Sequence, residues 1–125
     1  FSLHTAAPGK LFLAHLEPKK RSKIINSLKL KKLTANTIIT KENLEKEVLL
    51  AAQNGFAIDY EEEFMGQVCV GAPVLGKNAK LVGSVWLVAP TSRLPKKHIS
   101  EIAQKVMVAA DKVSKALGNQ FRKVA

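Results

Sequence analysis

Two neighbouring stretches of small, branched and aromatic residues constrain the fold of this chain more than any other feature. They cover residues 67–75 and 80–88, and the sequence Gly-Lys-Asn lies between them. Because branched and aromatic residues favour strands while Gly and Asn favour turns, this pattern predicts a β-hairpin. A third stretch of the same kind, residues 56–62, precedes the hairpin. The chain is therefore predicted to form an antiparallel sheet.

The hairpin loop sets which residues of its two strands lie opposite each other. If Leu75 pairs with Lys80, then Cys69 lies opposite Trp86, and alternation assigns the other positions to two faces. The predicted core face carries Val68, Val70, Ala72, Val74, Leu81, Gly83, Val85 and Leu87. The other face carries Cys69, Gly71, Pro73, Val82, Ser84, Trp86 and Val88. A face that mixes small residues, a thiol, a hydroxyl and an indole is typical of a sheet that borders a cavity or a second layer.

Helices are predicted before and after these strands in the sequence. The first begins near Thr5, whose hydroxyl suits a cap, has Pro8 in its first turn and ends at about His15. A second, basic helix begins at Pro18, and residues 34–39 are predicted as loop or a short extended piece. This alternation of helices with hairpin strands is typical of the α+β class.

Two further helices have clear end signals. Thr40 caps the third, which ends at Gly55, and Pro95 begins a long fourth helix that ends at Gly118. The predicted core stripe of the third helix is Leu44, Val48, Ala51 and Ala52, and that of the fourth is Ile99, Ile102, Val106, Val113 and Leu117. Both stripes follow helical spacing.

The chain carries a formal net charge of +10, which suggests nucleic acid as one class of partner. The densest basic stretch, residues 19–32, contains Lys19, Lys20, Arg21, Lys23, Lys29, Lys31 and Lys32. These residues surround apolar positions at helical spacing and lack interleaved aromatic residues. A solvated helix face is therefore the first interpretation, and a basic surface that binds DNA is the alternative.

Composition narrows the remaining classes. The 125 residues suit one domain, and the single cysteine, Cys69, has no partner for an internal disulfide, which favours a reducing cytoplasm. The longest apolar run, residues 82–90, is too short to cross a bilayer. His4, His15 and His98 show no spacing typical of metal ligands, so no metal site and no cofactor are expected.

Three motifs together resemble the effector domain of IclR-type (isocitrate lyase regulator) bacterial transcription regulators. Residues 4–10, HTAAPGK, are similar to the family's His-Ala-x-x-x-Gly-Lys helix start. Residues 55–62, GFAIDYEE, resemble its Gly-Tyr-x-x-Asp-x-Glu-Glu strand, and Gly66 to Val74 follow its Gly-x-x-Cys-x-Ala-x-Pro-Val pattern. Residues 89–94, APTSRL, resemble its Gly-Pro-x-x-Arg-Leu link to the last helix. The order and spacing agree over nearly the whole chain.

The resemblance implies that residues 1–125 are a GAF-like antiparallel sheet flanked by helices, which senses a small molecule and forms homodimers or homotetramers. It implies an N-terminal winged helix-turn-helix that binds operator DNA and that lies outside this chain. The family's sensing domain also begins with a helix and strands upstream of the His4 motif, so the first elements of the domain are expected to be missing. Unpaired strand edges and self-association would follow. The sequence does not distinguish a repressor from an activator.

The resemblance also implies a ligand pocket. Its residues correspond here to Ala7, Pro8, Asp59, Cys69, Trp86 and Val88. In the family, amides at the helix start and two serines bind the effector, whereas Pro8 lacks an amide hydrogen and Trp86 and Val88 replace the hydroxyls. A glyoxylate-like or pyruvate-like effector is therefore not expected. Two readings stay open: a different or larger, flatter and less polar ligand, or a filled pocket without a ligand.

Individual residues of this set have structural alternatives. Asp59 is also suited to accept backbone hydrogen bonds at a strand end, Cys69 to pack as a core thiol, and Trp86 to fill a core or an interface. A cysteine-dependent enzyme that uses Cys69 as its nucleophile is a further alternative. Cys69 is predicted to lie mid-strand rather than at a helix N-terminus, and no histidine is placed in the sequence to act as its base, which disfavours this alternative. The domain is predicted not to be an enzyme.

Overall fold

A computed structural model describes residues 2–118 of the chain. The described residues form four α-helices and three β-strands, which confirms the α+β class. The elements are α1 (Ala7–Ala14), α2 (Pro18–Ser27), α3 (Lys41–Asn54), β1 (Ala57–Tyr60), β2 (Gln67–Leu75), β3 (Leu81–Pro90) and α4 (Ile99–Ala116). Short 3-10 turns, Lys77–Ala79 and Lys96–His98, precede β3 and α4.

The sheet is antiparallel in the order β1-β2-β3, so β2 is its central strand. Helix α4 covers one face, where it packs on the buried residues Val68, Val70, Ala72 and Val74. Helices α1 and α3 cover the other face, where Ala7, Leu11 and Ala51 pack with Ala57 and Cys69. A third cluster joins α1, α2 and α3 around Leu13, Ile25, Leu44 and Val48. The two faces of β2 therefore contact different helices, as the alternation predicts.

The ends of α3 agree with the sequence signals. The Thr40 side chain accepts a hydrogen bond from the backbone N–H of Asn43, and Gly55 has a φ of 80°, the left-handed conformation that glycine adopts without strain. The predicted cap of α1 is wrong. Ala6 is the N-cap there, without a side-chain bond, and the Thr5 hydroxyl instead donates to Glu63 Oε1 at 3.1 Å.

The predicted pairing of the hairpin is also wrong, by two residues over most of its length. Cys69 lies opposite Val88, Trp86 lies opposite Gly71, and Leu75 pairs with Leu81 rather than with Lys80. The register shifts between Val74 and Leu75, where the Leu75 N–H donates to Ser114 Oγ of α4 at 2.9 Å. A shift of two preserves side-chain alternation, so Cys69 and Trp86 still share a face.

The buried residues of α4 and α3 also differ from the core stripes that the sequence predicts. The buried residues of α4 are Ile99, Ala103, Val106, Ala110 and Ser114, whereas Val113 and Leu117 are 42% and 52% exposed. Small residues lie where α4 meets the branched side chains of β2, because bulky side chains on both surfaces would hold helix and sheet apart. In α3, Ala52 is exposed. Leu81, predicted for the core face, lines a groove with Phe12 of α1 and with His15, which follows that helix.

Strand β3 is more exposed to solvent than β1 and β2. Its side chains Val82, Trp86 and Val88 are 59%, 51% and 48% exposed, and among residues 2–118 no fourth strand pairs with its outer edge. None of the helices described over this range combines the length and the apolar character that crossing a bilayer requires.

Candidate functional site

Residues of three strands form two adjacent rows on the sheet face that α1 covers. Asp59, Cys69 and Val88 lie opposite one another in β1, β2 and β3, and Ala57, Gly71 and Trp86 form the neighbouring row. A Cβ atom at Gly71 would lie 3.4 Å from both the Ala7 and the Trp86 Cβ atoms. The amino end of α1 and Trp86 therefore approach each other above the middle of the sheet. We call these rows, with the start of α1, the row site.

The start of α1 contributes backbone rather than side chain to the row site. Ala7 is fully buried, and its backbone N–H faces the Cys69 thiol and lowers the pKa of that thiol. Pro8 follows in the first turn, where its missing amide hydrogen leaves the helix hydrogen bonds intact. The positive end of the α1 dipole thus lies beside Cys69.

Cys69 is a buried thiol with 3% of its surface exposed. Burial, with the nearby charge of Asp59 as a second cause, raises its pKa to about 12, against the opposing effect of the Ala7 N–H. A thiol in this environment stays protonated at neutral pH, whereas a nucleophilic cysteine must form the thiolate. The geometry is that of a packed core thiol and disfavours the cysteine-dependent enzyme.

Asp59 is 4% exposed and lies at the closed end of the row site. Its Oδ1 atom accepts a hydrogen bond of 2.9 Å from the backbone N–H of Glu62, so it satisfies a backbone donor just after its strand. Burial raises the pKa of this carboxyl group, and that backbone bond and the charge of Lys10 oppose the rise.

The opposite end of the row site is open. Trp86 and Val88 are each about half exposed, because the structure describes no element that covers this part of β3. The six residues that the resemblance indicates are therefore brought to one region of the fold. Ala7, Asp59 and Cys69 form its buried end, Pro8 is half-buried next to Ala7, and Trp86 and Val88 form its exposed end.

Sequence reasoning missed a buried ion pair beside the row site. Lys10 is fully buried, and its Nζ atom donates to both carboxylate oxygens of Glu62, at 2.7 and 2.9 Å, and to the Ile58 carbonyl at 2.7 Å. Burial raises the pKa of Glu62 to about 7, although the charge of Lys10 opposes this rise. Both residues belong to the motifs that carry the resemblance, so the sequence singles each of them out. Because 52 positions separate them, it does not indicate that they form a pair.

The loop before α3 fixes the Glu62 end of this ion pair. Thr37 Oγ1 donates to the Glu62 carbonyl at 2.7 Å, and Thr34 Oγ1 donates to the Glu61 carbonyl. Thr37 is itself buried. This loop thus holds Glu62 in place, a role that no pattern in its sequence indicated.

The basic stretch is divided between α2, which carries Lys19, Lys20, Arg21 and Lys23, and the non-helical segment after it, which carries Lys29, Lys31 and Lys32. Ile25 is the one buried residue that α2 contributes within the described part of the chain, and the lysines at positions 19, 20, 23, 29, 31 and 32 are exposed. This arrangement is that of a solvated helix face.

Comparison with known proteins places this geometry among transcription regulators. Residues 1–115 match the family model described as "Bacterial transcriptional regulator IclR C-terminal". The chain is 32% identical over 110 residues to the probable HTH-type transcriptional regulator ArcR of Halobacterium salinarum, a match that covers 87% of this chain and 42% of that protein. The chain spans about two fifths of the length of the curated relatives it matches.

Solved structures give the same result. The crystal structure of Thermotoga maritima IclR matches with a TM-score of 0.85 at 29% identity, over 94% of this chain and 47% of that one. The inducer-binding domain of PobR from Acinetobacter, solved as a double mutant in complex with 3-hydroxybenzoic acid, matches with a TM-score of 0.83 at 19% identity. That match covers 91% of this chain and 66% of the PobR chain, and at this identity it concerns the fold.

Proposed function

The chain belongs to the IclR family of bacterial transcriptional regulators, and we propose that it is the part of such a regulator that senses a small-molecule effector. The observation that carries the proposal is the row site, in which a helix start, a carboxyl group, a thiol and an indole meet on one sheet face. Its exposed end gives a ligand access, and its buried end offers directional polar groups. Binding pockets combine these two properties.

We propose a flat, largely apolar carboxylate as the effector class. Trp86 presents a half-exposed ring to the site, and such a ring stacks well on another planar group. The positive end of α1 favours an anionic substituent. The ligand in the complex of the PobR double mutant, 3-hydroxybenzoic acid, has this chemistry. Small keto acids fit less well, because Pro8, Trp86 and Val88 together lack the donors that such a ligand needs.

A thermal-shift titration tests this proposal. Benzoic and 3-hydroxybenzoic acids should raise the melting temperature, because a ligand that binds only the folded state stabilises it by mass action, and glyoxylate should not. Trp86→Ala should abolish the shift. Leu87→Ala is the matched control, since Leu87 neighbours Trp86 in β3 but points to the α4 side, opposite Val70. No shift with any aromatic acid would support the alternative of a filled site without a ligand, whereas an equal shift in both variants would show that the ligand binds away from Trp86.

Operator binding belongs, in this proposal, to a winged helix-turn-helix outside residues 1–125, in a cytoplasmic regulator that acts as a homodimer or homotetramer. The relatives support this, since each is longer than the chain and the Escherichia coli relative is named a transcriptional repressor. Paired half-sites in operators require paired readers, which supports an oligomer. Sensing needs no catalysis, and the protonated Cys69 thiol supports a domain without enzymatic activity.

A titration with labelled duplex DNA separates this proposal from a DNA-binding role of the basic stretch. The 125-residue chain should bind weakly at physiological salt, because the reader of the operator lies elsewhere. Tight binding that falls steeply with salt, and that is lost on substituting Lys19, Lys20 and Lys23 by Gln, would instead identify α2 as the DNA-binding surface.

A further inference from the structure

We propose that the buried ion pair between Lys10 and Glu62 is the positioning device of the row site, which holds α1 over Cys69 and Asp59 and allows that side to open when the pair is broken. This inference rests on the proposed sensing function for its biological meaning. The positioning itself is a property of the folded chain, and it can be measured without a ligand.

The ion pair joins two elements at a single point. The Lys10 ammonium group has three hydrogens, and it meets three oxygen acceptors: two on the Glu62 carboxylate and the Ile58 carbonyl. Lys10 lies one helical turn beyond Ala7 on α1, and the acceptors lie in or just after β1. The pair therefore fixes the distance between the start of α1 and the strand that carries Asp59.

Glu62 connects the pair to the row site through its backbone. While its carboxylate binds Lys10, its N–H donates to Asp59 Oδ1, so one residue fixes both the lysine of α1 and the carboxyl group of the site. The Thr37 hydroxyl in turn holds the Glu62 carbonyl. A shift of the Glu62 side chain is thereby transmitted to Asp59, and from α1 to the Ala7 N–H on Cys69.

The other contacts of α1 with the sheet leave room for this role. Its first turn contains no acidic residue and no side-chain cap, and it meets β2 through the apolar side chains of Ala7 and Leu11 around Gly71. Apolar contacts are non-directional, whereas the ion pair has one geometry. Without either partner, the start of α1 would be held over Cys69 by apolar packing and by the Thr5–Glu63 hydrogen bond alone, and so less tightly.

Protonation of Glu62 offers a physiological way to break the pair. The charged groups around this carboxylate are Lys10 on α1, Asp59 on β1 and Glu63 in the loop, and Glu47 of α3 and Lys96 border the same groove. Burial in this setting brings the pKa of Glu62 to about 7. The geometry predicts that the charged contact with Lys10 is lost as the pH falls below neutrality. The raised pKa makes the folded chain as a whole more stable in acid, so the expected opening is local to α1.

Labelling of Cys69 tests the proposal, because it is the single cysteine of the chain and lies directly under α1. A dipyridyl disulfide, which reacts with thiols in acid as well as in base, should label it slowly in the native protein. Glu62→Gln should increase the rate about tenfold or more near pH 8.5, since local opening exposes the thiol without global unfolding. Val106→Ala, in the core on the other face of the sheet, controls for a general loss of stability.

The pH profile distinguishes positioning from simple support of the fold. The ratio of the Glu62→Gln rate to the wild-type rate should fall towards one near pH 5.5, because the wild-type carboxyl group is then protonated as well. The double variant Lys10→Met, Glu62→Met replaces the pair by apolar side chains, which buried ion pairs often tolerate, and should fold yet label rapidly. Rates no faster than that of Val106→Ala, or a ratio independent of pH, would overturn the proposal.

Failure of this inference is distinguishable from failure of the proposed function. Fast, pH-dependent labelling without any thermal shift would leave a positioned site that binds none of the tested acids. A thermal shift without altered labelling would leave a sensor whose site does not depend on the ion pair.

Discussion

At the scale of single residues, a close backbone contact explains why glycine occupies position 9 of the first motif. A Cβ atom on Gly9 would lie 2.7 Å from Leu3 Cα and 2.9 Å from the Leu3 carbonyl oxygen, and backbone atoms cannot move aside as a flexible side chain can. The segment before α1 therefore packs directly on the helix backbone. This contact is the structural reason for glycine before Lys10 in the motif.

We predict that Gly9→Ala lowers the free energy of unfolding by about 1–3 kcal/mol, because the added methyl group overpacks this contact. Urea denaturation followed by circular dichroism measures it. Gly83→Ala is the matched control, since a Cβ there meets nothing within 4 Å, and it should change stability by no more than about 0.5 kcal/mol. An equal loss in both variants would contradict the role assigned to Gly9.

A second residue-scale prediction concerns the pH dependence of stability. The folded-state pKa of Glu62 is raised from 4.5 to about 7, so the folded chain binds this proton more tightly than the unfolded chain. The free energy of unfolding should then fall as the pH rises from about 4.5 to 7, and the effect of Asp59, whose pKa is also raised, has the same sign.

Urea midpoints measured across this range check the sign. Glu62→Gln should flatten the slope, because it removes the group that titrates, and Glu45→Gln on the exposed surface of α3 controls for the loss of one carboxylate. A midpoint that rises with pH over this range would show that Lys10 stabilises the Glu62 carboxylate more than burial destabilises it.

At the scale of the elements, the sequence predicts features that neighbouring residues determine, but not features that depend on tertiary contacts. The bounds of α3 and the ends of β2 follow from residues next to them: Thr40 and Gly55 at the helix, and the change from branched residues to glycine after Leu75. The hairpin register does not. At the register shift the Leu75 amide donates to the Ser114 hydroxyl of α4, 39 residues away, and nothing in the hairpin sequence indicates this contact.

The same distinction applies to the residues of the candidate site. The motifs indicated Ala7, Asp59, Cys69 and Trp86, because a resemblance carries positions along with it, and two-residue alternation put Cys69 and Trp86 on one face whatever the exact pairing. The Lys10–Glu62 pair was not predictable from spacing, since it forms only when α1 docks on β1. The small-residue side of α4 was likewise hidden, because alanine and serine do not mark a stripe by hydrophobicity.

The Ser114 contact gives an element-scale prediction. Ser114 is fully buried, accepts from the Leu75 N–H and donates to the Ala110 carbonyl at 2.8 Å. Ser114→Ala removes this acceptor inside the core, so it should lower the free energy of unfolding by about 1–3 kcal/mol. Ser100→Ala, the same change on the exposed side of α4, should have little effect in the same urea experiment. Similar losses in both variants would count against the bulge contact.

At the scale of the whole molecule, β3 is the exposed edge of the sheet. Its residues 81–90 include no charged side chain in a chain of net charge +10, and charges on edge strands are a common protection against pairing with another strand. Val82 and Trp86 add exposed apolar surface beside this edge. The 125-residue chain is therefore expected to associate with itself.

Sedimentation velocity over a range of concentrations measures that association. Val82→Lys should shift the distribution towards monomer, because a lysine on the edge of β3 must lose its hydration when two edges meet. Val108→Lys is the matched control: Val108 on α4 is 55% exposed against 59% for Val82, but it lies away from the edge. A monomer at every concentration, or an equal effect of the two lysines, would rule out association through β3.

The placement of Cys69 and Trp86 has a spectroscopic consequence. They are the single cysteine and the single tryptophan of the chain, and they occupy neighbouring rows of one sheet face. Since thiols quench indole emission at short range, the tryptophan fluorescence of the protein should originate from one position and respond to anything inserted beside it. The domain thus carries its own optical reporter, which needs no dye or label to follow occupancy in real time.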